Sequence, residues 1–230
     1  MDFQAIAQSL AEAGGFLASQ GWAPATSGNY SARLADDTVA ITRSGCDKGR
    51  LTPSDIMVVD GQGQPLRPGQ RSSAETLLHT SLYQAYPAVG AVLHTHSIDC
   101  VTLSRWLLKR GQDRLVLTNY ELLKALPGIT THDGEVAVPL VANSQDMVAL
   151  SAAVLARLES VEAPVGYMIA GHGLYSWGAT VAQARMATEA LEVLVSCVLK
   201  DILLEQADQA AVYSRSHSGK VHRADPPCPA

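Results

Sequence analysis

The chain has 230 residues, 47% of them hydrophobic, with 22 acidic against 17 basic side chains for a formal net charge of −5. That length and apolar share suffice for one sizeable domain with a buried core and exclude disorder of the whole chain. Both signs of charge are dispersed and no basic block precedes a short, mildly basic C-terminal end, so nucleic acid is a poor partner.

In chain order, "MDFQAIAQSLAEAGGF" places Phe3, Ile6, Leu10 and Leu17 on one helical stripe and lacks the positive start and unbroken apolar run of a secretion signal. It predicts an amphipathic helix. "GNYSARL" and "TVAIT" predict two strands joined by "ADD", and "IMVVD" a third before the turn-rich "GQGQP". A helix follows from Ser73, its expected N-cap, to Tyr86, where Pro87 ends it. Next come the strand "AVLH" and the helix "SIDCVTLSRWLL", which Ser97 can cap. "RLVL" is a strand, "YELLKAL" a short helix closed by Pro127-Gly128, and "VAVPLV" a strand that Pro139 assigns to a sheet edge. The pattern ends with the helix "DMVALSAAVLARL", the strand "VGYMIA", the turn "GHG", the strand "LYSW" and a long helix from Thr180 to about Glu205.

These elements mix without the strict alternation of a doubly wound sheet. The expected fold is therefore α/β: a single-domain α/β/α sandwich over residues 1–210, with a mainly antiparallel central sheet. Residues 211–230 have no periodicity and are expected to form a flexible tail. The most apolar segment, "LEVLVSCVLKDILL", is broken by Glu192, Lys200 and Asp201 and falls short of the ~20 apolar residues of a membrane span. Cys46, Cys100, Cys197 and Cys228 lie far apart with no C-x-x-C pair, as reduced thiols of a cytoplasmic protein do.

The chemistry begins at "VLHTHS". Alternate residues of a strand share a face, so His94 and His96 can turn their rings toward one ion. His172, held between Gly171 and Gly173 after an apolar strand, offers a third imidazole, and three imidazoles with an open position describe a catalytic metal site. Zinc is the first choice for such donors, with iron(II), cobalt or manganese as replacements. On spacing alone Glu75 is a helix-dipole carboxylate, and His79, His132, His217 and His222 are solvated or core groups. Three small-residue clusters, Thr26 to Ser31, Thr42 to Gly49 and Arg71 to Glu75, carry hydroxyls and free backbone N–H groups of the kind that surround phosphate. Each taken singly is an ordinary turn. No phosphate-binding P-loop or G-x-G-x-x-G is present, so a nucleotide is not indicated.

Read together, "SGNYSARL", "ITRSGCDKGRLTPSDIMVVD", "SSAETLLHTSLYQAYP", "AVLHTHS" and "GHGLYSWG" resemble the class II aldolase/adducin-head family over nearly residues 1 to 206. "SGCDKGRLTPSDIMVVD" and "NYELLKAL" look most like its sugar-phosphate dehydratase branch. The resemblance implies that His94, His96 and His172 are ligands of one zinc per subunit. It implies that Gly28, Asn29, Ser44, Gly45 and Ser73 hold the substrate's phosphate, although Ala74 replaces the second serine of the family's Ser-Ser-Glu. Lys48 is an added cation for that phosphate or a solvated turn residue. Glu75, 19 residues before His94, matches the acid/base glutamate of the aldolases, whereas Glu121 matches that of the dehydratases and is ranked first. The implied activity is a lyase that removes water from a small sugar phosphate, in a cytoplasmic homotetramer with no membrane partner. The alternatives are an aldolase or epimerase acting on another sugar phosphate, and a non-catalytic interaction domain like the adducin head. The three histidines and two glutamates argue against the last.

Overall fold

A computed structural model describes residues 2–217 of the chain, with side chains described to residue 210. Five helices and eight strands follow one another among these residues as α1 (Phe3–Ser19), β1 (Asn29–Arg33), β2 (Val39–Thr42), β3 (Ile56–Val59), α2 (Thr76–Ala85), β4 (Ala91–Thr95), α3 (Ile98–Lys109), β5 (Arg114–Leu117), β6 (Val136–Val141), α4 (Met147–Glu159), β7 (Gly166–Ile169), β8 (Gly173–Gly178) and α5 (Val181–His217). The strands form one sheet in the order β3-β2-β1-β4-β8-β7-β6-β5, in which only β6 and β7 run parallel. This is the mainly antiparallel α/β architecture expected from the sequence.

Alternation along β4 divides the core. Ala91 and Leu93 pack with Ile6, Leu10 and Leu17 of α1, while Val92 packs with Leu78 and Leu82 of α2 and Val154 and Leu158 of α4. Leu103 and Leu107 of α3 join Leu191, Leu194 and Val195 of α5 on the sheet half that ends in β5. Helices α2 and α4 thus touch each other on one face, and α1, α3 and α5 on the other. The apolar periodicity of each helix is spent on this two-sided burial.

Four local expectations need correction. Helix α2 starts at Thr76 with Glu75 as its cap residue, because Ser73 instead opens a turn: its carbonyl accepts from Thr76 N–H and its hydroxyl from Glu75 N–H. Pro139 is not on an edge strand, since β6 lies between β5 and β7. Leu140 donates its N–H toward β5, to Asp113, so the ring nitrogen of Pro139 faces β7, whose pairing with β6 begins only at Leu140. No ladder hydrogen bond is lost there. "ELLKA" (Glu121–Ala125) is a 3-10 helix. Helix α5 continues to His217, through the first residues of the segment expected to be a tail, and residues 218–230 lie outside the described residues. Two expected features recur as read: Ser97 caps α3 by accepting from Cys100 N–H, and Cys46, Cys100 and Cys197 are free thiols. Among the described residues no helix is long and apolar enough to cross a membrane.

Candidate metal centre and adjoining cavity

The strand pair β4 and β8 fixes the first imidazole. His94 is fully buried; its ring stacks on Tyr175 at 3.8 Å between centroids and 11° between planes, and Tyr175 in turn stacks on Tyr167 at 4.8 Å. Its Nδ1 lies 2.9 Å from the carbonyl oxygen of Leu174, which can only accept, so Nδ1 carries the proton and the Nε2 lone pair is left for the site. Two glycines bring loops against the backbone of this strand. A Cβ on Gly173 would lie 1.9 Å from the Thr95 carbonyl oxygen, and one on Gly28, at φ +82°, would lie 2.6 Å from that of His94. The sequence spaces glycine where the histidine-bearing turn and the "SGN" loop must touch β4.

The consequence is a cluster. One ligand nitrogen from each of His94, His96 and His172 lies within 4.8 Å of the others, and the Nε2 atoms of His94 and His172 are 3.3 Å apart. Burial, and then the neighbouring rings, hold the His94 pKa well below the usual imidazole value. Burial, followed by His172, brings His96 down to about 4. A lowered pKa leaves His94 and His96 with lone pairs to offer, and three converging imidazoles are a donor set suited to a divalent transition metal.

That carboxylate is Glu75. One oxygen is 3.0 Å from His172 Nε2; the other is 3.7 Å from His94 Nε2 and accepts from the Asn29 amide at 2.5 Å. Burial alone would raise the pKa of Glu75, but the His172 hydrogen bond, the two imidazoles and Asn29 outweigh it and hold the carboxyl well below its usual range. Behind Asn29 a buried chain continues. His79 Nε2 donates to the Asn29 amide oxygen, and His79 Nδ1 receives the Ser31 hydroxyl at 2.7 Å, which itself bonds Tyr83 at 2.7 Å. Each atom in the chain has a compatible partner, so the orientation of the amide, and with it Glu75, is determined from inside the core.

Spacing leaves His79 as either a core or a solvated group; it is a core group, with burial lowering its pKa to about 4. A depressed histidine pKa means that the unfolded chain binds the extra proton between about pH 6.5 and pH 4. The stability His79 contributes is present above that window and is lost as pH falls through it, by about 3 kcal/mol. Denaturant melts across pH 7 to 4 should show this decline, and His79→Gln should reduce it, leaving the part that the depressed His94 and His96 contribute.

Next to Glu75 and His96 lies a cavity of about 280 Å³ lined by residues of all three small-residue clusters. Gly28, Asn29, Ser44, Gly45, Lys48 and Ser73, each singled out from the sequence, border it together. Lys48 is not the solvated turn residue of one sequence reading. It is 2% exposed, and its ammonium donates to the carbonyls of Thr26 at 2.9 Å and Cys46 at 2.7 Å, tying the two loops together. Burial lowers its pKa, and the nearby acidic groups, Glu75 among them, partly restore it. The Ser27 hydroxyl on the cavity wall is buried without a partner among the described residues, a donor suited to an anion's oxygen. Arg43, also on the wall, escapes a reading from the sequence: next to the Ser-Gly turn it carries no pattern of its own.

Glu121 is placed apart from this group. Its carboxylate is 73% exposed, pairs with Lys124 and lies 4.0 Å from His132. The same short helix borders an apolar cavity with Trp177 and Gly178, at the end of β8, whereas His172 directly precedes the start of that strand. Of the predicted site residues, Gly28, Asn29, Ser44, Gly45, Lys48, Ser73, Glu75 and His96 line this cavity, His94 and His172 join it through the cluster with His96, and Glu121 stands apart.

Comparison with known proteins bears on the family and the fold. The model of the class II aldolase and adducin N-terminal domain matches residues 8–199. Methylthioribulose-1-phosphate dehydratase of Pseudomonas aeruginosa (strain LESB58) is 50% identical over 201 residues, covering 87% of this chain and 97% of its own. The enzyme of the same name from Marinobacter nauticus is 51% identical over 198 residues, covering 86% and 94%. Among solved structures, YgbL of Klebsiella pneumoniae superposes with a TM-score of 0.74 at 23% identity, covering 87% of this chain and 91% of its own. L-fuculose-1-phosphate aldolase of Thermus thermophilus does so with a TM-score of 0.69 at 24% identity, covering 86% and 95%. These two structures share the fold.

Proposed function

Because the chain belongs to the class II aldolase and adducin N-terminal domain family, we propose that it is a zinc-dependent hydro-lyase converting 5-methylthioribulose 1-phosphate to 2,3-diketo-5-methylthiopentyl 1-phosphate in methionine salvage. The relatives that match most of this chain at about half identity bear the name of that dehydratase. One geometric observation carries the reading: Glu75 and His96 border the same cavity as Lys48, Ser44 and Gly45, so a candidate metal donor, a candidate base and candidate anion-binding groups share one space of small-molecule size. In this reading residues 1–210 are the catalytic domain of a cytoplasmic homotetramer.

His94, His96 and His172 would hold the zinc, which when bound would supply Lewis acidity to polarise the substrate's C2 carbonyl and so make the C3 proton more acidic. Glu75, ionised and aimed by Asn29, takes that proton. The C4 hydroxyl departs with a proton returned by the neutral Glu75 carboxyl, so one water is lost overall and the remaining enol becomes the second ketone. Lys48, the hydroxyls of Ser44 and Ser73 and the backbone N–H groups at Gly28 and Gly45 bind the phosphate and contribute remote binding energy to the reacting end. A buried ammonium attracts a phosphate more strongly than a solvated one does.

A second reading has its own support. The glutamate found at the histidines is Glu75, which matches the aldolases, and an aldolase would use the same groups to cleave C3–C4. Product identification separates them: purified protein with methylthioribulose 1-phosphate should build up diketone absorbance. Release of dihydroxyacetone phosphate would establish cleavage in its place.

A further inference from the structure

We propose that Glu192 of α5 is a positioning residue for the metal ligand His96, gripping the chain on both sides of it from the opposite face of the sheet. Thr95 and Ser97 flank His96, and each donates its hydroxyl to a different oxygen of the Glu192 carboxylate, Ser97 at 2.5 Å. Strand alternation turns Thr95 away from the face of His94 and toward α5, so the acid reaches the segment without entering the metal cluster. The Ser97 oxygen also accepts from Cys100 N–H and caps α3. One carboxylate therefore joins the end of β4, the His96 backbone and the first turn of α3 to a third element. The His96 N–H is fixed from the other side by the carbonyl of Trp22 at 2.8 Å.

Packing alone does not call for an acid here. Leu191, Leu194 and Val195 around it are fully buried apolar residues of the same helix, whereas Glu192 is 2% exposed and has no cation within ion-pair distance among the described residues. Burial, helped by nearby Asp99, outweighs the pull of the Ser97 and Thr95 hydroxyls and leaves its carboxyl at about 7. A buried acid is costly unless its oxygens are satisfied. Both are satisfied by the two residues that bracket a ligand, which is the arrangement by which outer groups orient a metal-binding side chain.

The inference rests on the metal reading of the three histidines, and the experiment separates the two. Zinc affinity of the purified full chain is measured by competition with a chromophoric chelator, alongside circular dichroism and thermal unfolding of the metal-free protein. Wild type should bind one zinc; failure to do so would overturn the metal reading and this inference with it. Glu192→Ala should stay folded and bind zinc about tenfold more weakly, and Glu192→Gln, which can still accept one hydroxyl, should recover part of the loss. If Glu192→Ala does not fold, Thr95→Val removes one of the two donors at nearly constant volume and should weaken zinc binding several-fold. A variant with lowered thermal stability but wild-type zinc affinity would make Glu192 purely structural and sink the inference.

Discussion

Replacement of Glu75 by Gln should lower kcat about 10³-fold, within the usual range for loss of a positioned general base, while zinc content stays at one per chain and KM changes little. The amide keeps the volume of the carboxylate and can still meet His172 and Asn29, but it cannot take a proton. Glu121→Gln, by contrast, should leave kcat within a few-fold of wild type, because its carboxylate stands in solvent against Lys124. Steady-state kinetics on the two variants, with metal analysis of each, decides between the glutamates. Were Glu121→Gln to abolish turnover while Glu75→Gln remained active, the base would have to reach the cavity from a second copy of the chain, and Glu75 would lose its role.

Removal of the metal is expected to have the larger effect. Dialysis against a strong chelator should reduce turnover at least ~10³-fold, since neither the fold nor the remaining side chains supply a substitute for Lewis acidity. Activity should return with one equivalent of zinc, and iron(II), cobalt or manganese should restore it to differing degrees. His172→Ala should mimic the loss without gross unfolding, because that ring stands on a turn and keeps some exposure, whereas His94 is fully enclosed against Tyr175. The measurement is turnover of methylthioribulose 1-phosphate before and after chelation, with metal content determined in parallel. Full activity in metal-free protein would remove the mechanism.

The histidines were legible for a local reason. His94 and His96 differ by two positions on an apolar strand, and a period of two is written directly into the sequence. His172 was legible through its flanking glycines, which allow the turn to touch β4. Lys48 was ambiguous because burial of a lysine depends on which carbonyls meet it, and those of Thr26 and Cys46 come from two loops that only the fold brings together. His79 and Glu192 had no legible role at all. Their partners are 50 and 97 residues away, Asn29 and Thr95, and no spacing rule spans such distances.

Sequence by itself determined the class of fold, the order of its elements and the three imidazoles, because periodicity, caps and turn residues act over a few positions. Tertiary structure decided which glutamate stands at those imidazoles, that Lys48 is enclosed, that Pro139 sits inside the sheet and that α5 returns an acid to the back of β4. Those outcomes depend on contacts between distant segments, whose free energy is set by burial and geometry after the chain has closed on itself.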